Sequence, residues 1–253
     1  MADFEIRIRA LPSCPEVHQS DDIGQLISSA AAGSLTSGDV VVVSHKVVSK
    51  AEGCVVDLDT VIPSDQAQEI AARQDRDPKH VQVILDQSAE ILRAEHGVLI
   101  SVTHHGFVCA NAGVDESNVP EANHALTLPS NPDESARSIR NRIRELTGSS
   151  PAVVIADSFG RAWRFAQVDV AIGCAGINPL DDWRGRTDRD GRVLEATELA
   201  VADSIAAAAD LGRAKDSGQP FVVVSGLERF VSEDDGPGAA ALLRPANQDL
   251  FRR

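Results

Sequence analysis

Two acidic segments carry the clearest chemical potential, because each sets a carboxylate directly after an apolar run. In Ala152-Val153-Val154-Ile155-Ala156-Asp157-Ser158 a strand is expected to end in a carboxylate and a hydroxyl. Both are hard oxygen donors of the kind that hold a divalent cation. The competing reading is an Asp/Ser cap on the next turn. In Asn111-Ala112-Gly113-Val114-Asp115-Glu116, Gly113 lets the backbone turn and expose Asp115. One carboxylate seldom holds Mg²⁺ firmly, but two from separate loops together with ligand phosphates do. Asp115 and Asp157 are therefore the candidate pair, although their separation in sequence does not show that they converge.

The cations are lopsided. Of 24 Lys and Arg residues only four are lysines, Lys46, Lys50, Lys79 and Lys215. Two of them share Ser44-His45-Lys46-Val47-Val48-Ser49-Lys50, after a β-branched run. Near a metal such lysines would neutralise phosphate as point charges; otherwise they are ordinary surface lysines. His45 alone reads as structural. The loop Asp181-Asp182-Trp183-Arg184-Gly185-Arg186 through Gly191 either holds an anionic substrate with Arg184 and Arg186 or neutralises itself in solvent. Arg137, Arg140 and Arg144 read as an exposed helix face. Adjacent strand residues point to opposite sides, so His104 and His105 read as structural or lining residues rather than a shared metal pair. There is no G-x-x-x-x-G-K-[ST], no G-x-G-x-x-G after a strand, no H-E-x-x-H and no G-x-S-x-G. Any nucleotide site is thus neither Walker nor Rossmann in type.

The elements that must position these groups belong to a chain of 253 residues, 43% hydrophobic and 25% charged, the balance of a globular protein with a sizeable core. A formal net charge of −14 argues against broad nucleic-acid binding. The four cysteines make no C-x-x-C and the N-terminus has no signal pattern, so reduced thiols, a cytoplasmic location and no membrane span are expected. Tyrosine is absent, which excludes phenol catalysis.

Strands are expected at 39–44, 98–102, 107–110, 152–156, 168–172 and 221–224. Asp77-Pro78 opens a helix to about Arg93, with Val81, Ile84, Leu85 and Leu92 as its apolar face. Asn131 opens another, with Ala136, Ile139, Ile143 and Leu146 buried and Gly148 ending it. A third spans 197–211. Residues 112–130 and 174–196 read as long polar loops. Interleaved helices and strands with hairpin-like pairs predict an α+β or mixed α/β fold.

In order along the chain, these segments resemble the coenzyme F420-0:L-glutamate ligase family. The resemblance runs through Ser44 to Gly53, Thr103 to Asn118, Ala156 to Arg164, Val170 to Gly176, Arg184-Gly185, Ala202 to Ala209 and Val224 to Leu227. It implies a distinctive α/β fold forming one unit over residues 1–253, with two sub-lobes allowed and no C-terminal flavin reductase domain. It implies a homodimer that uses GTP to activate the lactyl carboxylate of coenzyme F420-0 as an acyl phosphate. The amino group of L-glutamate then displaces phosphate, with Mg²⁺ or Mn²⁺ required and K⁺ assisting. Carried over, Asp115 and Asp157 hold the divalent ions with Ser158 at the adjacent metal position, and Lys50 and Asp157 are catalytic. Leu11, Pro12, Ser13 and Cys14 match the N-terminal nucleotide loop. His45, Lys50, Asn118 and Lys215 take further nucleotide positions, and Arg184 and Arg186 face substrate. Two departures stand out: Pro15 follows the N-terminal loop, and Gly212-Arg213-Ala214-Lys215 replaces the family's Val-Met-Gly-Lys. They leave open another nucleotide, acceptor or amino acid, or a non-catalytic binding protein.

Overall fold

The computed structural model describes residues 5–116 and 123–251. Its first half contains β1 (Arg7–Ala10), α1 (Ile23–Ala31), β2 (Val40–Ser44), α2 (His45–Ala51), β3 (Val55–Asp57), α3 (Asp65–Gln74) and α4 (Pro78–Asp86). There follow β4 (Ser88–Glu95), β5 (Val98–Thr103), β6 (Val108–Ala110), β7 (His124–Leu126) and α5 (Pro132–Thr147). The remainder comprises β8 (Ala152–Arg161), β9 (Arg164–Ala175), β10 (Leu180–Asp182), β11 (Glu198–Ala200), α6 (Val201–Asp210) and β12 (Phe221–Ser225).

A five-stranded sheet ordered β1-β12-β2-β8-β9 organises the chain. Only β2 and β8 run parallel; every other pair in it is antiparallel. Continuous valine runs suit a strand covered on both faces. Val41, Val43, Val153, Ile155 and Val223 point to the side of α1 and α5. Val40, Val42, Val154, Val222 and Val224 point to α6 and its Val201, Ala202, Ile205 and Ala206. Each such fully buried valine contributes roughly 1.5–3 kcal/mol relative to exposure. Helix α5 begins where Asn131 accepts from the Glu134 N–H and ends at Gly148 in the left-handed region. A third apolar cluster joins Ala67, Ile70, Val81 and Ile84 of α3 and α4 to Leu99 of the β4-β5-β6 sheet. The whole is an α+β fold with helices on both faces of a mixed sheet. No helix among the described residues is long and apolar enough to cross a membrane.

Several elements depart from the sequence expectation. The helix opened by Asp77 and Pro78 stops at Asp86, and 88–95 is a strand whose pairing with β5 overrides the helical spacing of Leu92. The stretch expected to enter a helix at 197 first forms β11, which pairs with β10 inside the supposed loop. Likewise 124–126 pairs with β3. Leu146, expected in the core, is exposed in the last turn of α5. Arg140 is not on an exposed face: it is buried and donates to the carbonyls of Pro151, Ser232 and Glu233 and to Asp235. Arg144 is exposed as expected.

Candidate active site

The parallel pair β2 and β8 has its carboxyl ends at Ser44 and Ala156, which are in register. Ligands in α/β sheets favour the crevice outside such ends. Here that crevice is a cavity of about 310 Å³. Strand β8 does not stop at Asp157, as the sequence suggested, because its hairpin with β9 runs on to Arg161. It is the neighbour β2 that stops, so Asp157 and Ser158 lose their partner on one side and face the opening. Helix α2 starts at once after β2, which turns His45, Lys46 and Lys50 toward the same space. Three of the four lysines, Lys46, Lys50 and Lys215, line this cavity.

His45 is buried, with Nδ1 3.4 Å from the Ser49 hydroxyl and Nε2 3.1 Å from Asp157 Oδ1. The latter approach is out of line for a hydrogen bond, leaving Nε2 buried without a hydrogen-bond partner. Asp157 also accepts from the Ser158 N–H at 2.7 Å. Lys50 is buried in the last turn of α2, where the helix dipole favours a cation, and is paired with Glu16. Lys46 pairs with Asp115 at 2.7 Å. Asp115 does not line the cavity itself; Lys46 connects it to the wall. Gly113, with φ of +71°, makes the expected turn before Asp115, and a side chain there would strike Leu128. Strand β6 packs on β8 and brings this segment alongside. Burial, reinforced by the Asp157 charge, pushes the Cys109 thiol up to about 12.

The residue the sequence reading missed is Asp169. It lies on β9 opposite Ser158, is 1% exposed, and accepts from Ser158 Oγ at 2.6 Å. Arg213 Nη2 approaches its other oxygen at 3.0 Å, and Lys215 Nζ lies 3.2 Å from the first. Burial raises the Asp169 carboxyl, but the Ser158 hydroxyl, Lys215 and Arg213 outweigh it and hold the group below its ordinary value. Burial likewise lowers Lys215, and its bonds to Asp210 and Asp169 reverse the sign and hold it above the usual value. The signal available in sequence was an acid inside the strand Val168-Asp169-Val170-Ala171-Ile172, where an unpaired carboxylate would be costly.

The N-terminal loop and the 212–220 stretch meet across the cavity. The N–H groups of Leu11 and Cys14 donate to the carbonyls of Phe221 and Gly218, and Gln219 donates to the Leu11 carbonyl. Of the four expected loop residues only Cys14 lines the cavity, joined by Pro15 and Glu16; Leu11 is in the core. Pro12 and Ser13 are exposed between them. Asn118 falls outside the described residues. Arg184 and Arg186 also lie away from this lining. Arg184 pairs with Asp182 and Glu198, and Arg186 with Asp181 while stacking over Trp183 at 4.8 Å. His104 and His105 have structural partners, the carbonyls of Asp86 and Pro129.

Among the described residues no three His, Cys, Asp or Glu side chains gather to cage a metal alone. The donors present are instead single carboxylates and a hydroxyl beside cations. That set fits a hard divalent ion which completes its shell with phosphate oxygens and water.

Relatives bear on this geometry. Residues 12–226 match the family described as F420-0:Gamma-glutamyl ligase. The chain is 44% identical over 252 residues to a coenzyme F420:L-glutamate ligase of Methanothermobacter thermautotrophicus, covering 98% of this chain and 99% of that one. A protein of the same name from Methanopyrus kandleri is 42% identical, with 98% of each chain covered. One from Haloarcula marismortui is 40% identical, covering 98% of this chain and 96% of that one. These matches take in every wall of the cavity, from Cys14 to Pro220, and the chain belongs to the F420-0:Gamma-glutamyl ligase family.

Proposed function

We propose that this protein joins L-glutamate to coenzyme F420-0, using GTP to activate the acceptor carboxylate as an acyl phosphate. The observation that supports this most is the cavity wall itself, where Lys46, Lys50, Arg213 and Lys215 alternate with Asp157 and Asp169. A polyphosphate and a carboxylate repel one another, and a site that joins them must offset both charges. The lactyl carboxylate oxygen attacks the γ-phosphorus, the bond from that phosphorus to GDP breaks, and GDP leaves. The glutamate nitrogen then attacks the acyl carbon, an amide forms, and phosphate and a proton are released.

Lys50, fixed by Glu16 at the end of α2, stands toward the phosphate chain. Asp157, with Asp115 and Ser158 as partners, is the group that would hold Mg²⁺ or Mn²⁺. When bound, that ion withdraws charge from the phosphate oxygens, and K⁺ assists as a further counter-ion. Cys14 of the N-terminal loop, with Arg213, Lys215 and Gly218 of the facing stretch, would line the nucleotide's side of the cavity. A homodimer has support from the apolar tip of the β8–β9 hairpin, where Trp163 is 83% and Phe165 99% exposed.

The test is mass spectrometry of F420-0 incubated with the protein, L-glutamate, Mn²⁺ and either GTP or ATP. Products heavier by glutamyl units, with equimolar GDP and little reaction with ATP, are expected. An unchanged F420-0 peak with both nucleotides would overturn the reading.

A further inference from the structure

The two carboxylates read as holding the divalent ion come from different parts of the fold. Asp157 belongs to the five-stranded sheet. Asp115 instead follows Ala112 and Val114, which are buried in the apolar cluster of α3, α4 and β5. Its carboxylate reaches Lys46 Nζ of α2 at 2.7 Å, and its backbone is bonded to Leu126 at 3.0 and 2.7 Å. The turn that delivers it is costly. Asn111, Ala112 and Gly113 have φ of +54°, +53° and +71°, three successive left-handed residues of which only the last is glycine. Such backbone persists where its surroundings over-determine it. Here Asn111 Oδ1 accepts from Arg76 Nη1 at 2.9 Å and from the Leu99 N–H at 3.3 Å. Arg76, in the link between α3 and α4, also donates to the Gly97 carbonyl at 3.1 Å, and its Nη2 lies 3.1 Å from His80 Nδ1.

We propose that Arg76 and Asn111 are positioning residues, which fix the 111–115 turn and so aim the Asp115 carboxylate at the ion it shares with Asp157. Neither lines the cavity, so each acts through Asp115. Groups that orient a metal ligand without touching the metal typically set its affinity by about 10–100-fold. The proposal rests on the divalent-ion part of the function given above, and its test needs neither nucleotide nor turnover.

The test is Mn²⁺ binding by the full chain, read as loss of the free-ion electron paramagnetic resonance signal, beside thermal melts. Asn111→Gly removes the acceptor but suits the left-handed backbone. It should melt within a few degrees of wild type yet bind Mn²⁺ about 10-fold more weakly. Arg76→Met should weaken binding by about 10-fold as well, although losing a positive charge would by itself strengthen it. Ala112→Gly eases the turn and keeps the acceptor, so it should match wild type. Asp115→Asn sets the scale, with a loss at least as large. Wild-type affinity in Asn111→Gly or Arg76→Met, while Asp115→Asn binds weakly, would overturn the proposal alone. So would an equal loss in Ala112→Gly. No uptake by wild type, or uptake indifferent to Asp115→Asn, would overturn the divalent-ion reading and this proposal with it.

Discussion

Replacing Asp169 by Asn keeps the shape of the side chain and removes its charge. The loss falls mainly on Arg213, whose side chain is 9% exposed against 1% for Asp169. Removing one member of a buried pair costs about 3–5 kcal/mol, because the other charge stays buried without compensation. The Pro220 carbonyl still accepts from Arg213 Nη1 at 3.0 Å, which places Asp169→Asn near the lower end, about 3 kcal/mol. Lys215 adds little, since an exposed pair is worth roughly 0–1 kcal/mol. Urea unfolding at pH 7 should show the midpoint falling with an unchanged slope. Adding Arg213→Met should recover part of the loss, giving a coupling of about 2 kcal/mol in a double-mutant cycle. The pH dependence has a fixed sign. Asp169 is held below its ordinary value when folded, so its contribution is complete above the unfolded carboxylate value and is lost as pH falls through the folded one. The gap between wild type and Asp169→Asn should therefore be full above about pH 4 and close below it. A gap under 1 kcal/mol at pH 7, or strictly additive variants, would refute the reasoning.

Asp157→Asn should lower turnover by about 10²-fold or more while the melting temperature stays within a few degrees, because the amide can still accept from the Ser158 N–H; steady-state rates and thermal melts check this. Arg140→Met should cost about 3–5 kcal/mol by stranding the carbonyls that Arg140 now satisfies, lowering the melting temperature by on the order of 10 °C in calorimetry. Cys109 and Cys174, whose thiols burial pushes up to about 12, should resist iodoacetamide at pH 8 in the native protein and label fully in urea, as peptide mapping would record.

The parts of this fold legible in sequence are those governed by local rules. Asn131 and Gly148 bound α5 because a cap and a left-handed stop act over a few residues. The valine run of β2 announced a strand buried on both sides. Strand β4 was not legible, since Ile91 and Leu92 fit either period and only pairing with β5 decides between them. Arg140 was misread for a related reason. Its buried partners, the carbonyls of 232 and 233, lie more than 90 residues away, and helix spacing says nothing about what covers a helix. At the site, scarcity made the lysines informative, and three of four proved to line one cavity. Asp169 stayed hidden because its meaning depends on β8 and β9 placing it opposite Ser158, and on a loop beyond α6 returning Arg213 and Lys215 to it.

The most direct test of the ligase reading follows oxygen from the acceptor. F420-0 labelled with ¹⁸O in its lactyl carboxylate is incubated with GTP, L-glutamate, Mn²⁺ and the protein, and both product and phosphate are weighed by mass spectrometry. The account predicts one ¹⁸O in the phosphate released for each first glutamate joined, the other remaining in the new amide. Glutamylated product accompanied by unlabelled phosphate would contradict it.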